Sequence, residues 1–114
     1  NLIFPVLDTF IYANDEQSAK AIITSIIELM VQRSKKGIQD QDPDLHKNAG
    51  IINSKAYCID IGGFHANDSI KSSEVMKPDI IRFTRRLYNH LLKLNTPLSN
   101  KLACYLDDEI EAIP

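Results

Sequence analysis

Cysteine is scarce in these 114 residues: Cys58 and Cys104 are the only two, and neither stands in a CxxC or Cys/His spacing. The count rules out a scaffold stapled by several disulfides. Both cysteines sit in apolar contexts and read as buried, reduced thiols, which suits a cytoplasmic location; a single disulfide between them stays open. Charge of one sign is also missing. The 13 basic residues face 15 acidic ones, a net charge of −2, so nothing draws the chain as a whole to nucleic acid or an anionic membrane. No apolar run approaches the roughly 18–20 residues that cross a bilayer, and the N-terminus lacks the basic start of a signal peptide. Histidines 46, 65 and 90 are isolated from one another and from the cysteines, which argues against zinc. There is no GxSxG nucleophile elbow, no internal repeat and no low-complexity segment.

What is present is the composition of a globular protein, 44% apolar and 25% charged, in a length that supports one domain with one modest core. The chain opens at Asn1 on an apolar run, NLIFPVLDTFIYA, as a segment of a longer polypeptide would. Residues 1–13, with Pro5 interrupting, read as a strand end or connector. A helix is expected from Asn14, its cap, to Lys36. Ala19, Ile22, Ile23, Ile26, Ile27, Met30 and Val31 recur there with a 3.6-residue period, and Gly37 stops it. A second helix is expected from Pro78, with Ile80, Ile81, Phe83, Leu87, Tyr88, Leu91 and Leu94 as its inner stripe, ending at Asn95. Thr96-Pro97 then starts a third helix running to about Glu111, with Leu98, Leu102, Tyr105, Leu106 and Ile110 inward. The expected class is mainly α with a small β-hairpin.

The chemistry gathers in Asp40–Phe64, DQDPDLHKNAGIINSKAYCIDIGGF. Residues 38–49 read as a polar loop broken by Pro43. Segments 50–53 and 56–61 read as a hairpin, and 64–75 as a mobile polar loop. Alternation along the second strand sends Ala56, Cys58 and Asp60 to one face and Tyr57, Ile59 and Ile61 to the other. Asp40, Asp42 and Asp44 alternate as in a calcium loop, but Leu45 stands where that loop needs glycine. A split magnesium site fits better. Magnesium takes a few hard oxygen ligands and shares the rest with substrate phosphates. A loop asparagine, Asn48, and a strand-end aspartate, Asp60, supply two such oxygens, and an aspartate just before the asparagine can orient a hydroxyl nucleophile.

The order of helix, D-x-x-x-K-N loop, short hairpin and I-D-I-G resembles the C-terminal lobe of the protein-kinase-like phosphotransferases. That superfamily includes aminoglycoside- and choline-type kinases. The resemblance covers about residues 14–94. It implies Asn48 and Asp60 as magnesium ligands, Lys47 as a phosphate contact, and Asp44 or Asp42 as the residue that positions the acceptor hydroxyl. It also implies Mg2+ and ATP as cofactors and an N-terminal lobe of the same polypeptide as partner, since no Gly-rich loop or phosphate-binding lysine with its glutamate is present. The usual place of the catalytic aspartate, five residues before the asparagine, holds Pro43, and no HRD or HGD motif occurs. On this reading the lobe is inactive alone.

Plainer roles stand beside these. Asp60 can accept backbone N–H bonds from the Gly62-Gly63 turn, and Asn48 can support the turn into the hairpin. His46 reads as a surface loop residue and Lys47 as a solvated one. Arg82, Arg85 and Arg86 read as an exposed helix face. The alternative function is a non-catalytic helical interaction module or a pseudokinase-type scaffold.

Overall fold

A computed structural model describes every residue except 1, 42–44, 46–48, 54 and 59–61. Among the described residues, four α-helices carry the core: α1 Ile3–Tyr12, α2 Glu16–Lys35, α3 Ser73–Leu94 and α4 Pro97–Glu111. The described residues also form two small antiparallel sheets. In one, β1 (Ile38–Asp40) pairs with β4 (Phe64–Ala66). In the other, β2 (Ala49–Ile52) pairs with β3 (Lys55–Cys58). None of the described helices is long and apolar enough to cross a membrane.

The opening apolar run is a helix, not the expected strand or connector. Ile3, Leu7 and Ile11 repeat every four residues and are buried on one face. Pro5 is tolerated because it falls in the first turn, where backbone N–H groups have no helical acceptor. Asn14 takes a left-handed conformation, φ 54°, and breaks the chain between α1 and α2. The cap of α2 is therefore Asp15, one residue later than expected; its Oδ1 accepts from the Ser18 N–H at 3.1 Å.

Helix α2 is the axis of the molecule, packing on the other three helices and on both sheets. Ala19, Ile22, Ile23, Ile26, Ile27 and Met30 are buried along it. Removing one such isoleucine side chain from water contributes roughly 1.5–3 kcal/mol, an upper figure since unfolded chains already bury some surface. Polar ties add direction. Thr24 Oγ1 donates to Glu109 Oε1 of α4 at 2.7 Å, and Tyr105 Oη lies 2.7 Å from both. His90 on α3 lies 2.7 Å from Asp8 Oδ1 of α1 and stacks on Phe4.

Helix α3 begins at Ser73, five residues before the expected start, because Ser72 caps it by accepting the Glu74 N–H. Pro78 thus lies inside the helix, past its first turn. The expected stripe holds at Ile80, Phe83, Leu87 and Leu91, whereas Ile81 is about half exposed. Asn95, φ 49°, ends α3 as expected. Thr96 and Ser99 then form a reciprocal capping box at the start of α4, with Pro97 at the first position. Along α4, Leu98, Leu102, Leu106 and Ile110 are buried, and Tyr105 is half-buried.

The loops on either side of the hairpin contain more order than their polarity suggests. Residues 38–40 and 64–66 are the paired strands β1 and β4, and Asp68–Lys71 is a 3-10 turn capped by Asn67. Gly37 makes the entry to β1 possible: its φ is +75°, and a Cβ there would meet Asp68 Oδ1 and Lys71 Cε at 2.9 Å. The hairpin is β2–β3, turned by left-handed Asn53, φ 52°. Its first strand starts one residue earlier than expected. The face alternation holds as far as it is described: Ala56 is buried, Tyr57 exposed and Cys58 half-buried. Two strands of four residues are marginal alone. They are held by burying Ala49, Ile51 and Ala56 and by the Ser25 hydroxyl of α2, which accepts the Ala56 N–H at 2.8 Å. Both cysteines are free thiols, with Cys58 half-buried and Cys104 exposed, so neither is the buried thiol expected.

Candidate functional site

The two sheets are nested in sequence, and their registers bring four strand ends into two pairs. Asp40, the last residue of β1, faces Phe64, the first of β4; Ala49, the first of β2, faces Cys58, the last of β3. Gln41 N–H extends the outer pair by donating to Gly63 O at 2.9 Å. Segments 41–48 and 59–63 therefore leave one pair of strand ends and arrive at the other. These are the segments that carry the candidate residues. Asp42, Asp44, Lys47, Asn48 and Asp60 all lie outside the described residues, as does His46. In sequence, Asn48 precedes paired Ala49 by one residue and Asp60 follows paired Cys58 by two.

Beneath this frame is a buried charge cluster. Asp79, near the start of α3, is 6% exposed. Its Oδ1 accepts from Gln39 Nε2 of β1 at 3.1 Å and from Arg82 Nη2 at 2.9 Å. Arg82 Nη2 also donates to the backbone oxygen of Asp40 at 3.1 Å, tying the end of β1 to α3. Gln39 Oε1 in turn accepts from Asn67 Nδ2 at 2.8 Å, which joins the exit of β4 to the same cluster. One carboxylate thus organises both strands of the outer sheet.

Opposite Asp79 stands Arg33 from the last turn of α2, its side chain 7% exposed. Its Nη2 lies 3.8 Å from Asp79 Oδ2, an ion pair too long to be a hydrogen bond. The guanidinium instead lies 4.9 Å from the Phe83 ring centre and 5.6 Å from that of Phe64, within cation–π range of both. Among the described residues, Arg33 Nε and Nη2 and Asp79 Oδ2 have no hydrogen-bond partner. Burial lowers the Arg33 pKa from its ordinary value, against the opposing pull of Asp79 and Asp40. Burial likewise raises that of the Cys58 thiol, with Arg33 acting in the other direction.

A run of basic residues at a helix end, as in Arg33–Lys36, ordinarily forms a solvated face, but here Arg33 is buried. Arg82, expected on an exposed face, is partly exposed yet engaged with Asp79 and Asp40. The sequence does carry a signal for both buried charges. Arg33 falls three residues after Met30 and seven after Ile26, and Asp79 three after Met76 and four before Phe83. Each occupies an apolar stripe, and the two are opposite in sign.

No group of three or more His, Cys, Asp or Glu residues able to hold a metal occurs among the described residues. Neither a scan against protein-family models nor searches among curated proteins and solved structures found a match to this chain.

Proposed function

We propose that this chain is the helical lobe of a kinase-like phosphotransferase. In this reading Asn48 and Asp60 hold magnesium, Lys47 contacts phosphate, and Asp44 or Asp42 orients the acceptor hydroxyl. The observation that carries the reading is the nested register. Two segments bearing the required oxygen donors share both of their ends through Asp40–Phe64 and Ala49–Cys58 pairing. An amide oxygen and a carboxylate are hard donors suited to magnesium, which takes its remaining ligands from substrate phosphates and water. Bound magnesium offsets charge on the phosphate oxygens of ATP. The chain's own work is positional: Arg82 and Gln39 fix the outer strands on Asp79, and Ser25 fixes the inner hairpin on α2. Turnover in this class rests on positioning and charge neutralisation from two lobes, so a partner lobe supplies the Gly-rich loop and its lysine.

Manganese, a paramagnetic stand-in for magnesium, tests the assignment on the chain itself. Titration should broaden the amide resonances of Gln41, Ala49, Cys58 and Gly62 ahead of all others. Asp60→Ala should abolish that broadening while leaving the dispersion of the helical resonances intact. The same broadening in Asp60→Ala, or broadening centred elsewhere, overturns the metal assignment and leaves the interaction-module reading. Joined to a partner lobe, Asp60→Ala should also lose magnesium–ATP binding.

A further inference from the structure

A cleft of about 190 Å3 opens between the last turns of α2, the start of β1 and the ends of β3 and β4. Leu29, Ile38 and Phe64 supply its apolar wall, Gln32 and Lys36 lie at its exposed rim, and Arg33 and the Cys58 thiol complete it. Its charge sets it apart. The cleft between α2 and the hairpin carries Glu28 and Lys55, and the groove between α3 and α4 carries Arg85 and Asp107, so each is mixed in sign. Among the described residues, the charged ones lining this cleft are Arg33 and Lys36, both cations.

Arg33 is the unusual member. Its side chain is more than nine-tenths buried, and Nε and Nη2 lack any acceptor among the described residues. Buried charged donors without acceptors are costly, and the long contact to Asp79 only partly offsets that cost. Arg33 lines the cleft, so an acceptor held there offsets more of that cost. The apolar wall asks for more than a mineral anion. A dry apolar cavity of roughly 150 Å3 accommodates benzene, so this one has room for a ring or short aliphatic chain.

We infer that this cleft is a binding site for a small organic carboxylate. The carboxylate lies toward Arg33 and Lys36, with the Gln32 amide as a further donor, and the hydrocarbon part rests on Leu29, Ile38 and Phe64. The site does not depend on the kinase-like reading. It shares Cys58 and Phe64 with the paired strand ends Ala49–Cys58 and Asp40–Phe64.

The two free thiols make the test internal. Alkylation by iodoacetamide, followed at each cysteine by mass spectrometry, reports the cleft through Cys58, while exposed Cys104 serves as the reference. Benzoate at ten times its Kd should slow Cys58 alkylation about tenfold by mass action and leave Cys104 unchanged. Benzamide, the neutral counterpart, and inorganic phosphate should not protect. Lys36→Gln, a change at the exposed rim, should weaken benzoate binding about two- to five-fold, the usual worth of an exposed charge. Gln32→Glu, which sets a carboxylate at the mouth, should weaken it further. Equal protection by benzamide or by phosphate, equal slowing of both thiols, or indifference to both rim variants overturns the inference.

Discussion

The helical body and the paired sheets meet stability in opposite ways. Around α2 the buried surface is almost wholly aliphatic: Ile22, Ile23, Ile26, Leu87, Leu91, Leu102 and Leu106 have no measurable exposure. At the sheets, by contrast, three- and four-residue strands are fastened by side chains: Gln39, Arg82 and Asn67 on the outer pair and Ser25 on the inner. The first region tolerates exchange of one aliphatic group for another, since apolar burial is non-directional. The second depends on specific donors and acceptors, because short strands have little area of their own to bury. The difference marks which part of the molecule can be reshaped without unfolding the rest, and the chain segments bearing the candidate residues run between the strands of that part.

Substitutions can break this contrast from either side. The largest effect is expected from Leu87→Ala, which hollows the helical core and should cost about 4 kcal/mol in urea unfolding. A loss under about 1 kcal/mol would mean that the core is not continuous there. Asp79→Ala comes next, at about 3 kcal/mol, because it strands buried Arg33 and releases Gln39 and Arg82 together. Hydrogen exchange should show the loss concentrated in β1 and β4; a uniform loss over all elements would remove the special status of the cluster. Thr96→Ala removes the capping box of α4 and should cost about 1 kcal/mol, with no change in exchange at the sheets.

The smallest effect concerns acid. Ser18 lowers the pKa of Asp15 by hydrogen bonding, and Lys101 and then Lys20 lower that of Glu16. A carboxylate depressed in the folded state contributes stability above its unfolded pKa and loses it as pH falls through the folded one. Stability should therefore decline below about pH 4.3, the ordinary glutamate value. Glu16→Gln should flatten that decline and leave the sheets untouched; an unchanged acid slope would show that the pair with Lys101 is too solvated to count.

The helices were legible because their signal is local. Ile22 to Met30 and Leu98 to Ile110 repeat with the helical period, and Asn95, Thr96 and Pro97 are stop, cap and start in three successive residues. Residues 1–13 misled because Pro5 looks like an interruption until it is recognised as a first-turn residue of Ile3–Tyr12. The start of α3 was misplaced for a related reason: Pro78 carries a strong initiation signal, while the actual cap, Ser72, sits in a polar run with several equivalent serines. Strands β1 and β4 escaped notice because three residues each, Ile38–Asp40 and Phe64–Ala66, show no periodicity, and their pairing spans more than twenty residues. A still longer separation hid the Arg33–Asp79 pair, whose two halves are visible only as charges out of place on separate apolar stripes. At the candidate site, the hairpin and the alternation of Ala56, Tyr57 and Cys58 were readable, but the outer closure around them was not.

That outer closure bears on how the chain reaches its fold. Bringing β1 to β4 in an otherwise open chain means closing the whole stretch from Gln41 to Gly63 at once. With the β2–β3 hairpin already formed, its two strands drop out of the loop to be closed, and the entropic penalty falls by roughly half a kcal/mol. Hairpins form within about 1–10 μs, so the inner turn at Asn53 is the natural nucleus of this region and the outer pair its final step. Slowing the turn, as Asn53→Val would by disfavouring its left-handed backbone, should delay the outer pair as well, even though the two sheets share no strand.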